Sequence, residues 1–254
     1  MYFDAHAHLD DDKFYGDLQA VIPRMLSAGV TEVVNAGCDL PSSVTGLMLA
    51  HTYPWCYATV GVHPHTASEM CEETLSALEM LAHDPKCVAI GEIGLDYHYD
   101  FSPRDVQRDA MVVQLELAHR LHLPVVLHLR EAFGDACKIL EDNRRLLQDG
   151  VLVHCYSGSM ELARDFFNGL DAYYSFGGAL TFAKNKNEVL SVIPRDRLLL
   201  ETDAPYMTPV PYRGKRNDPS LLPLTAAKMA ELLGTSVEDV AALTRANAKR
   251  LYRL

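Results

Sequence analysis

Four histidines and two carboxylates draw attention by where they fall in the chain. His6 and His8 form an H-x-H pair in FDAHAHLD. Glu92 lies in GEIGLDY, His128 in PVVLHLRE, His154 in VLVHCYSGS and Asp203 in LLLETDAP. Each ends or follows a short apolar run of the kind that makes a buried strand. Side chains alternate along a strand, so H-x-H aims both imidazoles the same way. Singly, each residue has an ordinary structural use: a histidine hydrogen-bonded at a strand end, a glutamate capping a helix, an aspartate fixing a turn. Crowded together without a cation, they would leave buried polar groups unpaired at high cost. A bound metal gives every one a partner, so the set reads as a metal site. Six donors exceed the need of one tetrahedral ion. They suit two divalent ions about 3.5–4 Å apart, bridged by a carboxylate. Glu92 is the expected bridge, with His6, His8 and Asp203 on one ion and His128 and His154 on the other. The chemistry is hydrolysis by a water activated by two metals, with Asp203 also accepting the water's proton. Glu92 and Asp203 are therefore the expected catalytic carboxylates.

Such donors converge only if the strands that carry them share one end of one sheet. Short β-rich runs occur at 2–5, 32–36, 56–60, 87–90, 125–128, 151–154, 172–176 and 198–201. Amphipathic stretches separate them. Residues 18–28 have a period near 3.6 and then meet Gly29. Residues 104–121 form the clearest helix, with Ser102 as its expected cap and Pro103 in its first turn. Two more helices are expected near 221–233 and 237–250, the second capped by Ser236. Strand–helix alternation repeated through the chain predicts an α/β fold with a parallel sheet. Eight units favour a closed (β/α)8 TIM barrel, with an additional C-terminal helix, as a single domain over 1–254. About 250 residues is the usual size of such a barrel. A Rossmann-type sheet would carry GxGxxG after a strand, and none follows one here. The connection 204–219, APYMTPVPYRGKRNDP, is too long for a simple link, and its prolines predict a stiffened, ordered loop.

The chain has 254 residues, 48% hydrophobic and 22% charged, with a net charge of −11. That charge excludes a protein that coats DNA through a broad basic face, but not a nuclease whose bound cations supply positive charge. The six cysteines are widely spaced. They predict reduced, mostly buried thiols in a cytoplasmic protein. No basic-then-apolar leader is expected, no apolar run approaches the roughly 20 residues that cross a bilayer, and no obligate protein partner is indicated.

The motifs, in order, resemble those of the TatD family of metal-dependent deoxyribonucleases, a branch of the amidohydrolase-type barrels. The matching stretches are FDAHAHLD (3–10), GVHPH (61–65), GEIGLDY (91–97), PVVLHLREA (124–132), HCYSGS (154–159), ETDAPY (201–206) and RGKRNDP (213–219). One departure is Ala7, where a cysteine is common in the family; its side chain points away from its neighbours. The resemblance implies hydrolysis of DNA phosphodiester bonds, typically of single strands from the 3′ end. It carries metal-ligand roles onto His6, His8, Glu92, His128, His154 and Asp203, and it brings His63 or His65 to the substrate phosphate. Arg213, Lys215 and Arg216, in the loop after the last strand, are the basic candidates for that phosphate, because barrels often bind phosphate near strands seven and eight. Tyr97, Tyr156, Phe176, Tyr206 and Tyr212 follow strand ends, where they stack bases or simply pack. His51, His83, His119 and His122 fall on helices and receive no chemistry.

The family is generally called magnesium-dependent, whereas imidazole-rich sites favour zinc, manganese or iron. The expectation is magnesium or manganese for turnover and zinc in the isolated protein. Two alternatives use the same site: a D-aminoacyl-tRNA deacylase, and a small-molecule amidohydrolase or phosphotriesterase. Many barrels of the latter kind bridge their metals with a carboxylated lysine, and here the fourth strand offers Glu92 instead.

Overall fold

The alternation of apolar and amphipathic runs becomes an eight-stranded parallel sheet with strand order following the chain. The computed structural model describes residues 1–254. Its strands are β1 (Tyr2–Ala7), β2 (Val30–Asn35), β3 (Cys56–Val60), β4 (Cys87–Asp96), β5 (Val125–Arg130), β6 (Val151–Val153), β7 (Tyr173–Phe176) and β8 (Leu198–Leu200). The helices α1 (Leu18–Ser27), α2 (Leu40–Thr52), α3 (Glu72–Ala82), α4 (Arg104–Leu121), α5 (Phe133–Asp142), α6 (Met160–Asp165) and α7 (Lys186–Val192) each cross between consecutive strands. After β8 come α8 (Leu222–Leu233) and α9 (Val237–Tyr252), the additional C-terminal helix. The sheet curls into a nearly closed (β/α)8 barrel. At the seam the amide of Asp203 donates to the carbonyl of His6 at 2.9 Å, and that of His8 to Ala204 at 2.7 Å. No helix is long and apolar enough to cross a membrane.

Two apolar layers hold the barrel. The larger lies between strands and helices, where Leu127, Val153 and Leu200 meet Met111, Leu115 and Leu140. The smaller fills the interior with Phe3, Ala5, Val34, Val126, Leu152 and Leu199, together with Ala248, Leu251 and Tyr252 of α9. Large side chains buried this fully contribute about 1.5–3 kcal/mol each. The Tyr252 hydroxyl donates to the Ala5 carbonyl at 3.0 Å, and its ring stacks on Phe3 at 6.1 Å. Arg245 and Lys249 of α9 also pair with Glu32 at the start of β2. Helix α9 thus closes the end where the strands begin, and leaves the end where they finish open.

Three expectations need correcting. β4 does not stop at residue 90 but runs to Asp96. Ser102 does not cap α4; Pro103 occupies that position, while the Ser102 hydroxyl donates to the His65 carbonyl at 3.0 Å. The cysteines are free, but only Cys56 and Cys87 are buried and Cys71 is exposed. Ser236 does cap α9, accepting from the Asp239 amide at 3.0 Å.

Candidate metal centre

Along β5, β6 and β8 the inward row begins apolar and ends polar. Val126 precedes His128, Leu152 precedes His154, and Leu199 precedes Glu201 and Asp203, each step two residues. In β1 and β4 the row is re-aimed. The pairing register shifts between Asp4 and Ala7 and between Ile90 and Ile93, where His6 and Glu92 sit. Such irregularities redirect side chains near functional sites. The glycines of GEIG serve close approach. A Cβ on Gly94 would lie 2.1 Å from the His128 carbonyl oxygen, and one on Gly91 2.6 Å from Val126 Cβ. Without side chains there, β4 lies against β5 and Glu92 reaches His128.

The two oxygens of Glu92 face different sets of imidazoles. Oε2 lies 3.2 Å from His6 Nε2 and 3.6 Å from His8 Nε2. Oε1 lies 2.6 Å from His128 Nδ1, 2.7 Å from His154 Nε2 and 3.5 Å from His63 Nε2. Asp203 Oδ1 completes the first set, 3.4 Å from His8 Nε2 and 3.8 Å from His6 Nε2. Ring nitrogens approach one another inside each set: His6 and His8 at 3.3 Å, His128 and His154 at 3.2 Å. Two nitrogens that close, turned toward a shared carboxylate, suit a coordinated cation better than they suit each other. Four overlapping groups here satisfy metal-ligand spacing, among them His6–His8–Asp203 and His63–Glu92–His128.

Outer partners orient the rings. His8 Nδ1 is 3.2 Å from the Ala36 carbonyl. His128 Nε2 lies 3.1 Å from Asp96 Oδ2; a proton donated there would leave the Nδ1 lone pair for a cation. His65 Nε2 meets the same Asp96 oxygen at 2.9 Å. Asp96 Oδ1 accepts the amides of His98 and Tyr99, each at 3.0 Å. His154 Nδ1 stands 3.8 Å from the buried Glu201, too far for a hydrogen bond, and His6 Nδ1 is buried without a partner.

The electrostatics keep both carboxylates and two of the imidazoles in the form that binds a cation, while neighbouring acidic groups raise His8, His128 and His154 against their burial. Burial opposes ionisation of Glu92, yet the imidazoles around it, His154 first, hold its carboxyl well below the usual range. Asp203 is likewise held low against its burial by the bond to His8. Burial, aided by neighbouring His128, pushes His63 down to about 4, and burial pushes His6 down as well. At neutral pH the carboxylates are charged while His6 and His63 keep free lone pairs.

All of these donors except the fully buried His6 line an open cavity of about 1040 Å³. His63 and His65 stand on its wall, after β3. Arg213 and Lys215 reach the rim without acidic partners; Arg213 lies 3.6 Å over Phe182 and Lys215 5.6 Å over Tyr212. Arg216 turns away from the cavity. It pairs with Asp17 at 2.6 Å and covers Phe14, so its charge is spent holding the loop to the barrel. The loop 204–219 is further pinned by buried Asn217, whose side chain donates to the carbonyls of Thr202 and Tyr206 at 2.8 and 2.7 Å. Of the aromatic candidates, Tyr156 and Phe176 are core residues, Tyr97 bonds Asp135, and Tyr206 lines the cavity.

Asp96, Arg130 and Cys38 also line the cavity, although the donor pattern in the sequence does not single them out. Cys38 Sγ lies 3.6 Å from His8 Nδ1 and 3.9 Å from Glu92 Oε2. The signal for the first two was the period of two: Asp96 is four residues beyond Glu92, and Arg130 two beyond His128.

Comparisons with known proteins agree with this geometry. The family model described as TatD related DNase matches residues 3–253. A Bacillus subtilis protein named uncharacterized metal-dependent hydrolase YabD is 42% identical over 256 residues, covering 100% of both chains. An Erwinia tasmaniensis protein named 3′-5′ ssDNA/RNA exonuclease TatD is 38% identical, over 99% of this chain and 100% of that one. The crystal structure of YJJV, a TatD homolog from Escherichia coli K12, superposes with a TM-score of 0.92 at 31% identity, over 100% of this chain and 98% of that one. With a match across almost its whole length, and donors grouped where a hydrolytic metal centre needs them, the chain belongs to the TatD family of hydrolases.

Proposed function

We propose that the protein is a metal-dependent exonuclease that hydrolyses single-stranded DNA from its 3′ end, using two divalent cations. The observation that carries this reading is the division of Glu92, one oxygen toward His6 and His8 and the other toward His128 and His154. That is the arrangement a bridging carboxylate requires. His6, His8, Glu92 and Asp203 would hold one ion, and Glu92, His128 and His154 the other. When bound, the ions supply Lewis acidity to the phosphoryl group and lower the pKa of a water.

The chain's own residues do the rest. Asp203, ionised and with one oxygen turned to the imidazoles, has its second oxygen to take a proton from the attacking water. His63 and His65 approach the phosphate from the cavity wall. Arg130, Arg213 and Lys215 oppose charge that develops on the phosphoryl oxygens. The cavity also carries Asp10, Asp11, Asp39, Glu92, Asp96 and Asp203, so its carboxylates outnumber those cations. An anionic strand gains entry only with the positive charge of bound metal. The name of the Erwinia relative supports a single-stranded substrate, RNA included. Magnesium or manganese is the expected ion of turnover, and the histidine-rich donor set favours zinc in the isolated protein.

The test is hydrolysis of a 5′-labelled single-stranded oligonucleotide with magnesium, with manganese and with chelator, beside Glu92→Ala. A ladder shortening from the 3′ end, lost with chelator and in the variant, is expected. Folded, metal-loaded protein that leaves DNA intact would redirect the assignment to an ester of tRNA or a small molecule.

A further inference from the structure

Two large aromatic side chains stand exposed on the cavity wall. Tyr99 is 47% and Phe101 68% accessible, and both line the cavity above the metal-ligand cluster. Their rings stack on each other, 5.2 Å between centroids and 16° between planes. Left in water, they contribute little to folding, since apolar area stabilises only when buried. Yet their loop is firmly held. Buried Asp96 accepts the Tyr99 amide at 3.0 Å, and Ser102 donates to the His65 carbonyl at 3.0 Å. His65 sets its ring edge-on to both, 5.4 Å from Tyr99 and 4.9 Å from Phe101. The Arg130 guanidinium lies 4.8 Å over the Tyr99 ring.

We propose that Tyr99 and Phe101 form a stacking platform for a nucleobase next to the scissile phosphate. The proposal rests on the nuclease reading above. A rigid π-surface beside an unpaired guanidinium is what a single strand uses: the base stacks, and the cation meets the backbone. Asp96 ties the platform to the chemistry, because the carboxylate that fixes the Tyr99 amide also fixes His65 and His128. A stacked base therefore sets the position of the adjoining phosphate against the metal centre. Phe101 offers no hydrogen-bonding group, so stacking on its ring accepts all four bases.

The test pairs protein variants with altered substrates. KM and kcat are measured for wild type, Tyr99→Ala/Phe101→Ala and the conservative Tyr99→Phe/Phe101→Tyr. The substrates are an intact oligonucleotide and one lacking the bases of its last two 3′ nucleotides. Quenching of 2-aminopurine placed at the 3′ end reports stacking directly. Loss of one stacked base corresponds to a rise in KM of about 5- to 150-fold. That rise is expected for the alanine variant on the intact strand, with quenching lost and kcat changed little. On the abasic strand, wild type and alanine variant should be equally weak, and the conservative variant should behave as wild type on both. Unchanged KM and quenching in the alanine variant, or an equal loss on both substrates, would overturn the platform while leaving the nuclease reading standing. Wild-type protein that cleaves neither strand would overturn both.

Discussion

The amide of Asp203 donates to the carbonyl of His6 at 2.9 Å, joining the strand that opens the barrel to the segment that follows its last strand. The side chains of the same two residues face one another across the metal-ligand cluster, 3.8 Å apart. Barrel closure and the proposed metal centre are thus one place. A cation held by His6, His8 and Asp203 would bridge the seam, adding bonds where the first and last strands have no ladder between them.

Metal binding should therefore show in stability as well as in activity. A ligand at 100 times its Kd stabilises the folded state by about 2.7 kcal/mol. Chelator should lower the melting temperature and abolish hydrolysis, and added manganese or zinc should restore both. A melting curve indifferent to chelator and metal would contradict ions bridging the seam.

Asp203 also has a left-handed backbone, with φ of 53°. Asparagine adopts that conformation readily, whereas alanine meets a penalty of about 1–2 kcal/mol. In chelator, Asp203→Asn should melt near wild type and Asp203→Ala several degrees lower. Both should lose most activity with metal present, since neither retains the carboxylate. Equal melting of the two variants would mean that the seam relaxes around the substitution.

Asp96 holds two imidazoles on one oxygen and two amides on the other. Replacing such an outer partner typically weakens metal binding by about 10–100-fold. Asp96→Asn should do so in a competition titration against a chelator, while most of the loop's amide bonds survive. Unaltered metal affinity would show that Asp96 serves the loop alone.

Much of this was legible in the sequence because period and position suffice for it. Short apolar runs gave the strands, and donors at their ends gave His6, His8, Glu92, His128, His154 and Asp203 as one group. Asp96 escaped because the apolar run ends at Ile90 while the strand continues through two glycines, held there by pairing to β5, so the period of two that reaches Asp96 looks cut short. Arg216 reads like Arg213 and Lys215 because all three lie in the loop after the last strand; only the fold brings Asp17 to it from the start of α1. Tyr99 and Phe101 carry no periodic signal, since their exposure is a property of the loop.

The three loop cations therefore separate by experiment. Arg213→Ala and Lys215→Ala should raise KM for an oligonucleotide and flatten its dependence on salt, with folding intact. Arg216→Ala should leave the salt dependence unchanged and instead lower stability slightly, as loss of a partly exposed pair does. A salt response altered by Arg216→Ala and not by the other two would reverse the assignment.

Glu32 ties β2 to α9 at the opposite end of the barrel and gives the fold an acid limit. Burial alone would raise its carboxyl, but the bonds from Arg245, Thr31 and Lys249 override this and hold it down to about 2, from an ordinary value of 4.5. A group depressed in the folded state stabilises fully above its unfolded pKa, and that stability is lost as pH falls toward the folded value. The contribution should be intact at pH 5 and decline between about 4.5 and 2, by about 1–2 kcal/mol after allowance for solvent screening of the half-exposed cations. Glu32→Gln should start less stable at neutral pH and lose less on acidification. Because other carboxylates titrate in the same window, the quantity to read is the difference between wild-type and variant unfolding free energies at each pH. A difference that stays constant from pH 6 to pH 3 would mean that the Glu32 cluster does not set this part of the acid limb.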